Sequence, residues 1–320
     1  MWLSTEETVP ASPDPAGAPT GAEAHSGVSR GPQLWLAGAR LKTLPSVFAP
    51  VAVGTAIARS EGEVSAVRCA LTLVFALGFV VGTNYLNDYS DGIRGTDAHR
   101  VGPLRLVGSG RASPRQVLRV GLALYALSAV VGLALAVTVS WWLLGLTALC
   151  PLGGWFYTGG KRPYGYRALG EVSVFTFFGV IAVCGTVFIQ LGRVPWLALG
   201  ASVPIGLVVC ALLVTNNLRD IPTDAVAGKI TLAVVIGEAR TRALYLAFVA
   251  GALASAAALA LVRPSALLAL GSVPFALFPL RRVLGGARGR DLVPALEHTC
   301  LFMLVFGALL AVGLGQRPLP

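Results

Sequence analysis

The stretch CALTLVFALGFVVGTNYLNDYSDGIRGTD (residues 69–97) decides the fold. Its first half is apolar without a break, and at ~1.5 Å per residue a helix of this kind crosses a hydrocarbon core of ~30 Å in about 20 residues. Its second half follows with no polar transition and carries Asn84, Asn87, Asp88, Asp91 and Asp97, then leads into a string of arginines. Charge at a membrane boundary is costly, so these groups call for a compensating role.

Working outward, the same apolar pattern recurs along the chain. Of the 320 residues 55% are hydrophobic and only 12% charged, and the mean hydropathy is +0.73. Inside a bilayer the backbone must satisfy its own polar groups, so such segments are helices. Breaks at charges and Pro/Gly clusters predict nine spans, near 44–59, 67–89, 115–139, 141–159, 170–191, 194–216, 240–262, 265–284 and 297–316. The expectation is an all-α polytopic membrane protein, a helical bundle formed by residues 34–320. Residues 1–33 are rich in Pro, Ala, Gly and Ser and lack both the basic and the apolar regions of a signal peptide, which predicts a disordered cytoplasmic tail.

With the N-terminus cytoplasmic, every Lys and Arg except Arg59, Arg68, Arg193, Arg263 and Arg317 falls on the cytoplasmic face. That asymmetry follows the positive-inside rule. The formal charge of +10 is therefore mostly topology and gives no reason to invoke nucleic acid. Cys69, Cys150, Cys184, Cys210 and Cys300 stand singly in apolar spans with no CxxC pair, as small core residues do. His99 sits beside the acids, but a lone loop histidine is more often solvated than catalytic.

The acidic residues are concentrated. NYLNDYSDGIRGTD (84–97) carries Asp88, Asp91 and Asp97, and NNLRDIPTDAVAGK (216–229) carries Asp220 and Asp224. Helical spacing puts Asn84 with Asp88, Asn87 with Asp91, Asn216 with Asp220, and Asp220 with Asp224 at i,i+4. The repeated Asn-x-x-x-Asp suggests two sites facing each other across a pseudo-symmetric bundle. Clustered carboxylates repel unless a cation sits among them, and Asp and Asn oxygens are ligands that suit Mg²⁺, which commonly shares its coordination with phosphate. Arg94, Arg100, Arg105, Arg111, Lys161, Arg162, Arg219 and Lys229 thread the same loops and offer phosphate ligands. The blander alternative, acids that cap helices and pair with nearby arginines, applies readily to any one aspartate and less readily to two matched clusters.

These loops resemble those of the UbiA superfamily of intramembrane aromatic prenyltransferases, and within it the branch that prenylates 1,4-dihydroxy-2-naphthoate in menaquinone biosynthesis. Four stretches carry the resemblance: RLKTLPSVFAPVAVGTA (40–56), NYLNDYSDGIRGTDAHRVGPLRLVGSG (84–110), YTGGKRPYGYRALGE (157–171) and NNLRDIPTDAVAGKITLAVVIG (216–237). Leu41 stands where the family leads one to expect proline, and Asp97 lies six residues after Asp91 where the broader superfamily spaces its third acid by four. The resemblance implies a nine-helix bundle with a central cavity, open to the cytoplasm and laterally to lipid. It implies Mg²⁺ held by Asn84, Asp88, Asp91, Asp220 and Asp224, and a polyprenyl diphosphate bound through Arg94, Arg100, Arg105, Arg111, Arg162, Arg219 and Lys229.

The expected reaction is prenyl transfer to 1,4-dihydroxy-2-naphthoate with loss of its carboxylate, at a bacterial plasma membrane. In this reading Asp91 serves as a base, Lys161 attracts the acceptor's carboxylate and Tyr157, like Tyr85, Tyr89 and Tyr164, offers a π-face to a prenyl cation. Transfer to another acceptor such as 4-hydroxybenzoate stays open. So does a membrane transporter with paired carboxylates, although the acids cluster at one face and not at the midplane. A CDP-alcohol phosphotransferase fits less well, because DYSDGIRG (88–95) departs from that motif at Gly95 and Thr96.

Overall fold

The computed structural model describes residues 31–96, 102 and 104–316. Its helices are α1 (Pro32–Ala39), α2 (Pro45–Glu61), α3 (Ala66–Ile93), α4 (Pro114–Thr138), α5 (Leu143–Thr158), α6 (Gly170–Val174), α7 (Ala182–Leu191), α8 (Trp196–Val226), α9 (Leu232–Leu259), α10 (Val273–Leu284) and α11 (Val293–Leu314). A π-helical stretch, Phe175–Ile181, joins α6 to α7 into one rod, and a 3-10 stretch, Pro264–Ser272, leads into α10. Among the described residues the only β-pairing is an isolated parallel bridge between Arg167 and Ile230.

All nine expected segments are helical, but length and apolarity support fewer independent spans. Seven helical rods are long and apolar enough to cross a membrane alone. An eighth is the pair Pro32–Thr43 and Pro45–Glu61, bent by 51°. The remaining segment, α5, has 16 residues and at ~1.5 Å per residue reaches only ~24 Å. Other boundaries move as well. The last span begins in the 3-10 turn Gly289–Leu292, ahead of the expected 297. The seventh begins at Leu232 and breaks helical geometry at Gly237 (φ 77°, ψ 171°).

Local chemistry accounts for several starts. Ser113 caps α4 in a reciprocal box with Gln116, followed by Pro114 at the first helical position. Ser65 caps α3 by accepting from Arg68 N, and Thr231 caps α9 by accepting from Val234 N.

Helix α8 is the most enclosed rod, with 67% of its apolar window buried. Around it packs the main core of Ala, Val, Leu and Phe side chains from α2, α7, α9 and α11. The pairs α3·α4 and α2·α11 complete the bundle. At the end away from the acidic motifs, Glu61 ties Arg263 (2.9 Å) to Arg193 (3.7 Å).

Two helices run well past their expected C-terminal ends. Helix α3 continues to Ile93 and α8 to Val226. Both acidic motifs are therefore mostly helical, and their side chains have fixed directions.

Candidate active site

The ends of α3 and α8 meet around one polar cavity, about 1140 Å³ of space with its open side included. Asn84, Asn87 and Asp91, spaced i, i+3 and i+7 along α3, lie on its wall, and Asn216, Asn217 and Arg219 of α8 face them. Arg105 and Lys229 enter from the loops.

Asp91 is the centre of this arrangement. Its Oδ1 accepts a 2.7 Å hydrogen bond from the Tyr166 hydroxyl. Its Oδ2 lies 3.7 Å from Arg105 Nη2 and 3.9 Å from Lys229 Nζ. The same Lys229 ammonium stands 3.9 Å from Asp224 Oδ1. Acids from the two motifs thus converge on one cation.

The other two motif acids among the described residues are engaged elsewhere. Asp88 is 1% exposed and accepts the backbone amides of Leu106 (2.7 Å) and Val107 (3.1 Å), folding the chain that follows α3 back onto the helix. Asp220 grips Arg219 in a bidentate pair (2.7 and 2.8 Å), which fixes the guanidinium plane. The remaining terminal nitrogen of Arg219, Nη1, has no hydrogen-bond partner among the described residues, and the side chain forms part of the cavity wall. Gly102 passes directly over this group: a Cβ there would sit 3.1 Å from Arg219 Cζ, at a backbone φ of +150°.

Below the polar cavity lies a second, apolar one, about 730 Å³ of space with its open side included, lined by residues including Phe75, Leu135, Cys150 and Ile189. Phe79, Val80, Phe177 and Phe178 belong to both walls and form the neck between them. A charged chamber thus adjoins a greasy one. The UbiA prenyltransferase family model matches residues 47–306. The chain belongs to this family.

Its relatives extend the match. It is 48% identical over 277 residues to the 1,4-dihydroxy-2-naphthoate octaprenyltransferase of Mycobacterium tuberculosis, covering 87% of this chain and 95% of that one. It is 37% identical over 229 residues to the Escherichia coli protein of the same name, covering 69% and 74%. A UbiA homolog from Archaeoglobus fulgidus, solved bound to DMAPP and Mg²⁺, shares the fold with a TM-score of 0.60 at 18% identity, covering 87% of this chain and 99% of that one.

Within this UbiA-family cavity the remaining expected residues divide. Tyr157 and Tyr164 are on the wall, packed edge to face with centroids 5.5 Å apart. Arg94 is not on the wall: its guanidinium donates to the carbonyls of Ser90 (3.0 Å), Thr158 (2.5 Å) and Gly160 (2.6 Å), bracing the end of α5. Lys161 and Arg162 are exposed, and like Arg111 they lie outside the wall. Tyr85 turns the other way and donates to Trp35 O (2.6 Å). Arg100, Asp97 and His99 lie outside the described residues, as does the expected tail up to residue 30.

Other residues join the site that motif reading passed over. Arg40 and Thr43 reach the wall from the bend before α2, and Arg40 adopts a left-handed backbone (φ 54°) that non-glycine residues seldom take. Asn87 accepts from Thr158 Oγ1 (2.7 Å). Its i,i+4 relation to Asp91 was the available signal. Glu171, buried at the start of α6, accepts from Asn217 Nδ2 (3.1 Å) and orients that amide on the wall. Tyr166 sits in the α5–α6 loop, where burial and the nearby Asp91 charge push its phenol well above the ordinary value. It therefore remains a hydrogen-bond donor.

Proposed function

We propose that this chain transfers a long polyprenyl group from a polyprenyl diphosphate to 1,4-dihydroxy-2-naphthoate, with loss of the acceptor's carboxylate, giving demethylmenaquinol. One observation carries the reading: a chamber walled by Asp91, Arg105, Arg219 and Lys229 adjoins an apolar cavity across an aromatic neck. A diphosphate fits the first part and an isoprenoid chain the second. The names of the bacterial relatives supply the acceptor.

Arg105, Arg219 and Lys229 hold the diphosphate, and the Asp220 clamp keeps the Arg219 fork rigid for it. As the allylic C–O bond breaks, its electron pair leaves on the diphosphate, where these cations stabilise the growing charge. The neck keeps water from the positive prenyl fragment, with Phe79, Phe177 and Phe178 presenting aromatic surface. A C–C bond then forms at the ring carbon bearing the carboxylate. CO₂ departs, and the electron pair of its bond restores the aromatic ring.

The donor set also suits a divalent cation. Asp91 and Asp224 already share one positive centre, Lys229. The amide nitrogens of Asn84 and Asn216 are tied to the carbonyls of Ala39 (3.1 Å) and Leu212 (3.3 Å), which leaves their oxygens for the cavity. These are hard oxygen donors of the kind Mg²⁺ takes. Among the described residues no three His, Cys, Asp or Glu side chains converge, so diphosphate oxygens and water must complete the coordination. When bound, Mg²⁺ supplies Lewis-acid charge to the leaving group. The excess of basic residues at this end supports a site on the cytoplasmic side of a bacterial plasma membrane.

The test uses purified protein in detergent with Mg²⁺, octaprenyl diphosphate and 1,4-dihydroxy-2-naphthoate, following diphosphate and CO₂ together. Both products from wild type, and neither from Asp91→Ala, are expected. Diphosphate without CO₂ would move the acceptor elsewhere, to a ring such as 4-hydroxybenzoate. Neither product from folded protein would overturn the reading.

A further inference from the structure

Lys229 occupies an unusual place in this site. Its ammonium is equidistant, at 3.9 Å, from Asp91 Oδ2 and Asp224 Oδ1. Both distances exceed hydrogen-bond length, and the side chain is only 15% exposed. The ammonium also lies 5.3 Å from the centroid of the Tyr166 ring, whose hydroxyl holds the other oxygen of Asp91. Arg94 lies 5.8 Å from the same ring. The cation is therefore caged by charge and by an aromatic face, without a directional bond to either carboxylate.

The backbone beneath it is fixed. Lys229 N donates to Asp224 O (2.8 Å), and Ala168 N donates to Ile230 O (2.9 Å), so the α5–α6 and α8–α9 loops are tied together beside Lys229. Lys229 can thus move its flexible stem while its Cα stays in place.

We propose that Lys229 is an exchangeable counter-ion: it neutralises the Asp91–Asp224 pair in the empty site and gives up that place when a divalent metal and a diphosphate bind, turning its ammonium onto the diphosphate. This rests on the diphosphate reading above. The physical basis is simple. Two buried carboxylates need a positive partner in the resting protein. A divalent ion is the better one, but it must first contend with a like charge already between them. Alongside Lys229, Arg105 pairs with Asp91 at 3.7 Å. Lys229 therefore opposes metal binding alone and favours it once phosphate oxygens arrive. The site stays uncharged by metal until substrate is present.

The experiment separates the two roles by opposite signs. Mn²⁺ binding to purified protein without any diphosphate is measured by electron paramagnetic resonance, and inorganic pyrophosphate binding at saturating Mg²⁺ by calorimetry. Lys229→Met is expected to bind Mn²⁺ roughly ten- to a hundredfold more tightly than wild type, the size of effect a like charge nearby has on a charged group. The same variant is expected to bind pyrophosphate more weakly. Lys229→Arg, which keeps the charge, should leave Mn²⁺ affinity near wild type, and Lys229→Gln serves as the neutral variant if the methionine protein does not fold. Unchanged or weaker Mn²⁺ binding in the neutral variants, or equal tightening by Lys229→Arg, overturns the proposal. If Asp91→Asn abolishes Mn²⁺ binding while Lys229→Met leaves it unaltered, the metal reading stands and this one falls. If no form binds Mn²⁺, with or without pyrophosphate, both fall.

Discussion

Replacing Asp88 with alanine separates two roles that its place in the motif allows, metal ligand and loop anchor. The carboxylate is 1% exposed and takes the amide hydrogens of Leu106 at 2.7 Å and Val107 at 3.1 Å. A hydrogen bond to an ionised acceptor contributes ~1.5–3 kcal/mol, and its loss also strands a donor. Two of them set an upper range of roughly 3–6 kcal/mol, which relaxation of the loop toward water lowers to about 2–4 kcal/mol. Against a total stability of ~5–15 kcal/mol that is a large fraction.

Asp88→Ala is therefore expected to unfold at distinctly lower denaturant, and to become sensitive to protease in the segment 104–110. Mn²⁺ binding by the folded fraction should remain close to wild type. Arg105 rides on the released segment and faces Asp91, so KM for the polyprenyl diphosphate should rise more than kcat falls. Denaturant titration in detergent, limited proteolysis and Mn²⁺ titration together provide the measurement. A variant as stable as wild type that had lost Mn²⁺ binding would refute the reasoning and return Asp88 to the ligand set.

Other perturbations probe separate parts of the site. Arg94→Lys, which loses a fork serving three carbonyls, should cost stability by ~1–3 kcal/mol with little change in pyrophosphate affinity, whereas Arg219→Lys should weaken pyrophosphate binding by roughly tenfold; calorimetry of both variants checks the contrast. Tyr166→Phe removes the hydroxyl that positions Asp91 and should lower kcat by about tenfold, an effect of ~1.4 kcal/mol on the barrier. Because burial and a neighbouring anion both disfavour the phenolate, the wild-type pH–rate profile should show no alkaline loss from Tyr166 up to pH ~10. Gly185 lines the apolar cavity with no atom within 4 Å of a would-be Cβ. Gly185→Leu should therefore fold normally and shift the preferred donor to a shorter isoprenoid, read from competition between donors of different length.

Much of this arrangement is legible in the residues themselves. The apolar runs give the helices, and the i,i+4 Asn and Asp pairs point to two facing clusters. What the pattern leaves open is helical phase. Asn87 and Asp88 are neighbours, ~100° apart around α3, and only the packing of α3 against α4 and the returning loop decides that Asn87 faces the cavity while Asp88 turns to backbone amides. Arginine is similarly ambiguous. Arg94 and Arg105 look alike in a basic loop, yet one meets the carbonyls at the end of α5 and the other a carboxylate. Arg40 and Glu171 were obscured differently, since each depends on a contact with a distant helix. The short α5 reads as a span because composition reports apolarity and not the length that neighbours require.

The π-helical stretch Phe175–Ile181 has a consequence of its own. Such a turn holds one residue more than the α-helical turn it interrupts. Deleting a single residue there would let the rod rewind, rotating everything before it by about 100° around the axis. Glu171 would swing away from Asn217, and the pair of phenylalanines at the neck would no longer point the same way. Insertions at the far end of this rod, by contrast, would leave both untouched. The rod is therefore a ruler with one fixed mark: its outer length is free to drift, while its residue count between Glu171 and Phe178 is locked.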